Sequence, residues 1–165
     1  MTQRIYVGTF AKYNNGNLAG EWLNVADFRT KADFYEGAAK IHSDEDDPEF
    51  MFQDHEGIAD ALISESSIDE IVFEVAGKDE ETIENFNAFV ESMGSFNFQS
   101  FEDAFFGRYE SEVDYAKSYV DECGMLSEIP ENLRYYFDYE RYARDLFISD
   151  VYFHAATGCV FSRNY

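Results

Sequence analysis

The stretch from Asp79 to Met93 constrains the fold more than any other. Ile83, Phe86, Phe89, Val90 and Met93 recur at helical spacing, with Glu80, Glu81, Glu84 and Glu91 between them. At 100° per residue the apolar and acidic sets centre about 155° apart, so a helix here has one greasy face and one acidic face. Gly94 follows as a helix-ending residue. No Lys or Arg occurs between 79 and 93. Glu80 and Glu84 stand four apart, a like-charge spacing that destabilises a helix by roughly 0.2–0.5 kcal/mol. Such a helix needs neighbours to bury its apolar face, and its unrelieved repulsion suggests that the negative field is wanted.

The field is regional. Residues 31–110 hold 22 acids and 4 bases, whereas residues 1–30 hold 2 acids and 3 bases and residues 111–165 hold 10 and 5. The whole chain of 165 residues has a formal net charge of -22. Charge of that size suggests disorder, but 17 Phe, 12 Tyr and 1 Trp give the chain far more aromatic surface than disordered segments carry. The chain is therefore expected to fold, with an acidic shell over aromatic cores. The charge argues against binding nucleic acid, which needs Lys and Arg to neutralise phosphates, and against an anionic membrane surface. A strongly basic partner is what such a field would attract.

The organisation reads as α+β: an elongated chain of three small domains. Residues 1–60 form an N-terminal α+β domain. It has a β-rich run at Ile5–Phe10, a hairpin signal at Asn15-Gly16 before a second run at Leu18–Val25, a helix over Thr30–Ile41 with Phe34, Ala38 and Ile41 inward, and a strand at Glu49–Phe52. Residues 61–101 form a central helical domain, with a capping-box pattern at Ser67-Ile68-Asp69-Glu70 before the helix at 79–93. Residues 102–165 form a C-terminal α+β domain. There Ser111 caps a helix running to Asp121, and Pro130 takes the first helical position of another. Leu133, Tyr136, Phe137, Tyr139, Tyr142, Ala143 and Leu146 continue at helical spacing, and strands follow over Phe147–His154 and Cys159–Phe161 around a turn at Ala156-Thr157-Gly158.

Local signatures of chemistry fail. Asp44-Glu45-Asp46-Asp47 is the densest acidic run, but an EF-hand loop counted from Asp44 meets Pro48 and Glu49 at positions 5 and 6 and His55 at position 12. His42, His55 and His154 belong to no zinc-ligand spacing, and no nucleophile elbow or phosphate-binding glycine loop is present. Neither a catalytic, a cofactor nor a metal site is expected. Cys123 and Cys159 read as reduced, half-buried thiols of a cytoplasmic protein, since two cysteines this far apart make neither a disulfide framework nor a zinc pair. The N-terminus lacks the apolar run of a signal peptide, and no stretch is apolar enough to span a membrane.

The segment Leu126-Ser127-Glu128-Ile129-Pro130-Glu131-Asn132-Leu133-Arg134-Tyr135-Tyr136-Phe137-Asp138-Tyr139-Glu140-Arg141-Tyr142-Ala143-Arg144-Asp145-Leu146 closely resembles the antirestriction motif of the ArdA family. Ser127 stands where Gly is expected in many members. Two further stretches are similar to that family, Tyr6–Leu23 and Asp103–Ala116, in the family's order. The resemblance implies an antirestriction protein of a mobile genetic element, such as a conjugative plasmid or transposon, acting in the bacterial cytoplasm. It would mimic bent B-form DNA and occupy the DNA-binding groove of a type I restriction-modification enzyme, as an elongated homodimer of three-domain protomers joined through their C-terminal domains, without catalysis or cofactor. A dimer would carry about 44 net negative charges, the phosphates of roughly 22 base pairs or about 75 Å of duplex.

Under that reading the carboxylates standing in for phosphates are Asp44, Glu45, Asp46, Asp47, Glu49, Asp54, Glu56 and Asp60, then Glu65, Asp69, Glu70, Glu74 and Asp79. They continue with Glu80, Glu81, Glu84 and Glu91, and with Glu102, Asp103, Glu110, Glu112, Asp114, Asp121 and Glu122. Leu126, Glu128, Ile129, Pro130, Leu133, Tyr136, Phe137, Asp138, Tyr139, Tyr142, Ala143, Arg144, Asp145 and Leu146 would mark the dimer region. Tyr135, Tyr136, Phe137, Tyr139 and Tyr142 are expected to build the C-terminal core and the dimer contact, and Arg134, Arg141 and Arg144 to make internal or cross-dimer ion pairs. The alternatives are an acidic interaction protein masking another basic nucleic-acid-binding protein, and a carboxylate-based hydrolase.

Overall fold

β-branched and aromatic residues open the chain as a strand, β1 (Arg4–Thr9), whose Ile5 and Val7 are fully buried. The computed structural model describes residues 2–165. β1 is the centre of a three-stranded antiparallel sheet in the order β2-β1-β3, between β2 (Glu21–Asn24) and β3 (Phe50–Glu56). The β1–β2 connection is not the expected two-residue hairpin. Thr9 caps a short helix, α1 (Phe10–Asn14), and Asn15 ends it with φ -90°, so only Gly16 adopts the positive φ that a type I′ turn requires at both central positions.

Thr30 caps α2 (Lys31–Ile41) by accepting from the Asp33 N–H, and Phe34 and Ala38 face inward as their spacing predicts. Phe34 is the hub of the core beneath this sheet, with ring contacts to Phe28, Phe52 and Phe73 at 5.2, 6.3 and 5.5 Å.

The expected capping box at Ser67 does not form. Ser67 instead exchanges hydrogen bonds with Ser64 in a turn closed by an Ile63–Ile68 bridge. The cap of the next helix, α3 (Ile71–Val75), comes from Asp69 Oδ1, which accepts from the Ile71 N–H. α4 (Glu80–Met93) forms as expected and ends at Gly94, whose φ of 65° is the left-handed conformation glycine adopts freely; Asp79 caps its start.

The chain then forms two elements without a sequence expectation, α5 (Phe98–Ala104) and β4 (Phe105–Arg108). α6 (Glu112–Glu122) follows its Ser111 cap, and Gly124 has positive φ just beyond it. The helical spacing from Leu133 to Leu146 divides into two helices. α7 (Glu131–Arg134) is a single turn with Pro130 as its cap rather than its first residue, and α8 (Tyr139–Ser149) starts at Asp138. Phe147 to Ser149 therefore belong to α8, and the strand expected from Phe147 begins at Val151: β5 (Val151–His154) pairs with β6 (Cys159–Ser162). The sheet order is β4-β6-β5, all antiparallel. Gly158 turns the β5–β6 hairpin with φ 74°, and a Cβ there would lie 2.5 Å from the Tyr109 carbonyl oxygen.

The chain divides into two compact units that meet in sequence at Phe98 and Gln99. In the first, α2 reaches the 61–98 segment through the Phe34–Phe73 contact and a hydrogen bond from Lys31 Nζ to the Ile68 carbonyl. In the second, α6 and α8 place Tyr115 and Phe147 against Val151 and Val160 of the sheet. Among the described residues no helix is long and apolar enough to cross a membrane. Both cysteines are free thiols, but neither is half-buried: Cys123 is exposed and Cys159 buried.

Candidate functional site: carboxylates left to solvent and an exposed aromatic segment

α4 separates its two faces as the periodicity dictates. Ile83, Phe86, Phe89 and Val90 are buried and Glu80, Glu81, Glu84 and Glu91 exposed. Asp79, exposed, also caps the helix: it accepts from the Thr82 hydroxyl at 2.6 Å and the Thr82 N–H at 3.0 Å. Those two bonds, the hydroxyl first, hold its carboxyl below the usual carboxylate range.

Of the other expected surface acids, only Glu45, Glu56 and Asp114 are withdrawn from full exposure. Glu56 receives a two-pronged hydrogen bond from Arg4 Nε and Nη2 at 2.7 and 2.8 Å, and that bond depresses its pKa. Asp114 accepts from the Ser111 hydroxyl and lies 3.9 Å from Lys117 Nζ. Exposed acids with local duties include Asp54, Asp60, Asp69, Asp103 and Glu122, which bond or face His55, His55, Ile71, Gln99 and Ser118. Asp46, Asp47, Glu49, Glu65, Glu70, Glu74, Glu81, Glu102, Glu110, Glu112 and Asp121 are exposed, and none is ion-paired among the described residues.

The few cations are mostly drawn into the scaffold. The Arg4 guanidinium lies 4.5 Å over the Trp22 ring while gripping Glu56. Lys31 and Arg163 donate to the carbonyls of Ile68 and Val151, and Lys78 sits 4.7 Å over the Phe98 ring. Among the described residues Arg134 makes no internal ion pair: its Nε and Nη2 donate to the carbonyls of Ile129 and Ser127. Arg141 and Arg144 are exposed on α8, with no ion-pair partner among the described residues.

The acidic run at 44–47 folds back on one lysine, which sequence reasoning missed. His42, Asp44 and Glu45 bring ligand atoms within 4.8 Å of one another. Lys12 Nζ lies 2.9 Å from His42 Nδ1, 2.8 Å from Asp44 Oδ1 and 3.5 Å from Glu45 Oε1. The chain's own ammonium thus takes the position a metal ion would need. His42 is buried with Nε2 3.1 Å from the Val7 carbonyl. Nε2 must therefore carry the proton, leaving Nδ1 to accept from Lys12. Lys12 lies 30 residues from His42, and nothing local in the sequence links them.

The motif at 126–146 splits into a buried and an exposed part. Leu126 and Ala143 are buried, Leu146 packs against the Tyr115–Phe147 core, and Asp138 caps α8 by accepting from the Arg141 N–H. Phe137, Tyr139 and Tyr142 form a half-buried ring cluster with centroids 4.8 and 5.7 Å from Phe137. Tyr135 and Tyr136 do not build the core. They are 88% and 78% exposed, and Ile129 and Leu133 are exposed beside them in sequence. Glu128, Pro130, Arg144 and Asp145 are exposed as well.

A mixed α+β scaffold with a solvent-facing carboxylate surface and an exposed aromatic segment is the class these features define. A family model described as antirestriction protein (ArdA) matches residues 5–161 of the 165, and the chain belongs to that family. Antirestriction is the function the family implies. Curated proteins gave no match.

Proposed function

We propose that the protein mimics B-form DNA and occupies the DNA-binding groove of a type I restriction-modification enzyme in the bacterial cytoplasm, protecting incoming mobile DNA without catalysis. The observation that carries this reading is the division of charge. Most cations are bound to carbonyls, rings or carboxylates of the fold, while a long series of carboxylates faces solvent without ion pairs among the described residues. A groove built for phosphates meets mainly negative charge, and attraction between them is long-ranged and weakened by salt. The three-part division near residues 60 and 101 belongs to the same reading. So does a homodimer formed through the C-terminal domain, for which Ile129, Leu133, Tyr135 and Tyr136 supply exposed apolar surface.

The test is competition. Purified protein is titrated into a complex of a type I restriction enzyme with a labelled duplex, at low and at physiological salt. Displacement that weakens with salt is expected. A complex that survives excess protein at low salt refutes the reading, and capture of unrelated basic proteins in its place would favour a masking partner for another nucleic-acid-binding protein.

A further inference from the structure

We propose that Lys12, a cation, is a positioning residue for the acidic surface, holding the 42–49 loop so that Asp46 and Asp47 are displayed at a fixed place. The proposal rests on the DNA-mimic reading and deepens it. Four consecutive acids repel one another, and a free loop bearing them would spread over many conformations. Here the loop is tied at both ends and in between. His42 is buried, with its backbone N–H on the Ala38 carbonyl and Nε2 on the Val7 carbonyl. Lys12 bridges His42 Nδ1, Asp44 and Glu45. Thr9, fully buried, donates its hydroxyl to Glu45 Oε1 at 2.7 Å while accepting from the Lys12 N–H. At the far end the Phe10 N–H donates to the Glu49 carbonyl at 3.0 Å. Asp46 and Asp47 remain exposed at the tip. The hydrogen bond from Lys12 holds the Asp44 carboxyl below the usual range.

Total charge and charge placement predict opposite results here. Lys12→Met makes the chain more negative, so if only the overall field matters inhibition should strengthen. If Lys12 positions the loop, inhibition should weaken by about two- to thirtyfold, the effect of two exposed charges lost from register. The measurement is the duplex-competition assay on the full chain, with thermal unfolding recorded for every variant. Arg29→Met removes an exposed cation outside the clasp and is expected not to weaken inhibition. Lys12→Arg, which keeps charge and donors, is expected to restore most of it. Asp46→Asn with Asp47→Asn should weaken inhibition as much as Lys12→Met, and combining all three should add little.

If Lys12→Met does not fold, Thr9→Val frees Glu45 with no change of charge and should also weaken inhibition. Lys12→Met inhibiting as well as the native chain, or a triple variant losing the full product of the separate effects, overturns the proposal. For Thr9→Val the overturning result is unchanged inhibition. A native chain that fails to compete at all defeats the DNA-mimic reading itself, which is a separate outcome.

Discussion

Glu65, Glu70, Glu74 and Glu81 are exposed acids without an ion-pair partner among the described residues, spread from the end of β3 into the first turn of α4. Replacing each by Gln removes charge with almost no change of volume. An exposed charge facing an opposite one contributes about 0.2–1 kcal/mol, so each single variant should weaken inhibition by roughly 1.4- to fivefold. The four together, acting independently, sum to about 0.8–4 kcal/mol, or roughly four- to eight-hundredfold. Surface replacements away from caps and cores change stability by about 0.5 kcal/mol or less, so melting temperatures should barely move. The assay is competition against a labelled duplex for a type I restriction enzyme, repeated at several salt concentrations. Screening over about 8 Å at physiological salt should reduce the difference between native and quadruple variant as salt rises. A single Glu→Gln that abolishes inhibition would refute the distributed surface, as one chemical site would then be doing the work. A folded quadruple variant indistinguishable from the native chain at low salt would refute it from the other side.

Acids that hold the scaffold should behave differently. Glu56→Gln breaks the fork with Arg4 and should lower the thermal midpoint while leaving most of the inhibition. Because folding depresses the pKa of Glu56, through the Arg4 hydrogen bond first, its contribution is complete above the ordinary carboxylate range and is lost as pH falls through the lowered value. The acid limb of a stability–pH profile should therefore be shallower in Glu56→Gln. Tyr115 has the opposite sign. Burial, then the neighbouring Tyr109 and Tyr119, pushes its hydroxyl up to about 12, so stability should fall as pH rises from about 10 to 12, and Tyr115→Phe should remove that fall. Phe34→Ala should cost about 3–5 kcal/mol by urea unfolding, since the ring is fully buried among three others. Under the C-terminal dimer proposed above, Tyr135→Ser with Tyr136→Ser should leave the melting temperature in place and shift sedimentation from dimer to monomer; a dimer that survives would place the contact elsewhere.

What was legible in the sequence was whatever is encoded within one or two turns of chain. α2 and α4 declared themselves through apolar residues three and four apart, and α6 through its cap at Ser111. Where two local signals competed, the sequence misled. Asn15-Gly16 carries hairpin chemistry, but Thr9 at the end of β1 caps a helix first, and the pair becomes that helix's exit. Ser67 has the form of a cap, yet Ser64 three residues earlier captures its hydrogen bonds. The spacing through Leu133 and Tyr142 is helical throughout, but Asp138 restarts the helix and leaves Tyr135 and Tyr136 outside the core. The Lys12 clasp was invisible because its parts are 30 or more residues apart and join only when α1 and the 42–49 loop both reach the end of β1.

Counting acids thus overstates one thing and hides another. Glu45, Glu56, Asp79 and Asp114 look in the sequence like members of one surface, yet each has its oxygens engaged by Thr9, Arg4, Thr82 or Ser111. They shape the scaffold as well as charge it. The cations explain why so acidic a chain holds together. Arg4 and Lys12 fasten the first sheet to acids far away in sequence, and Lys31, Lys78, Arg134 and Arg163 hold carbonyls or ring faces. A cation placed instead beside Glu70 or Glu81 would relieve repulsion and cancel the field at the same spot. Keeping the cations for the scaffold lets the fold carry its negative charge outward, and it moves the burden of cohesion to aromatic clusters such as Phe34–Phe52–Phe73 and Tyr109–Tyr115–Phe147. Aromatic content and acidity are therefore two halves of one design, since thinner cores would not outweigh the repulsion of so many uncompensated carboxylates.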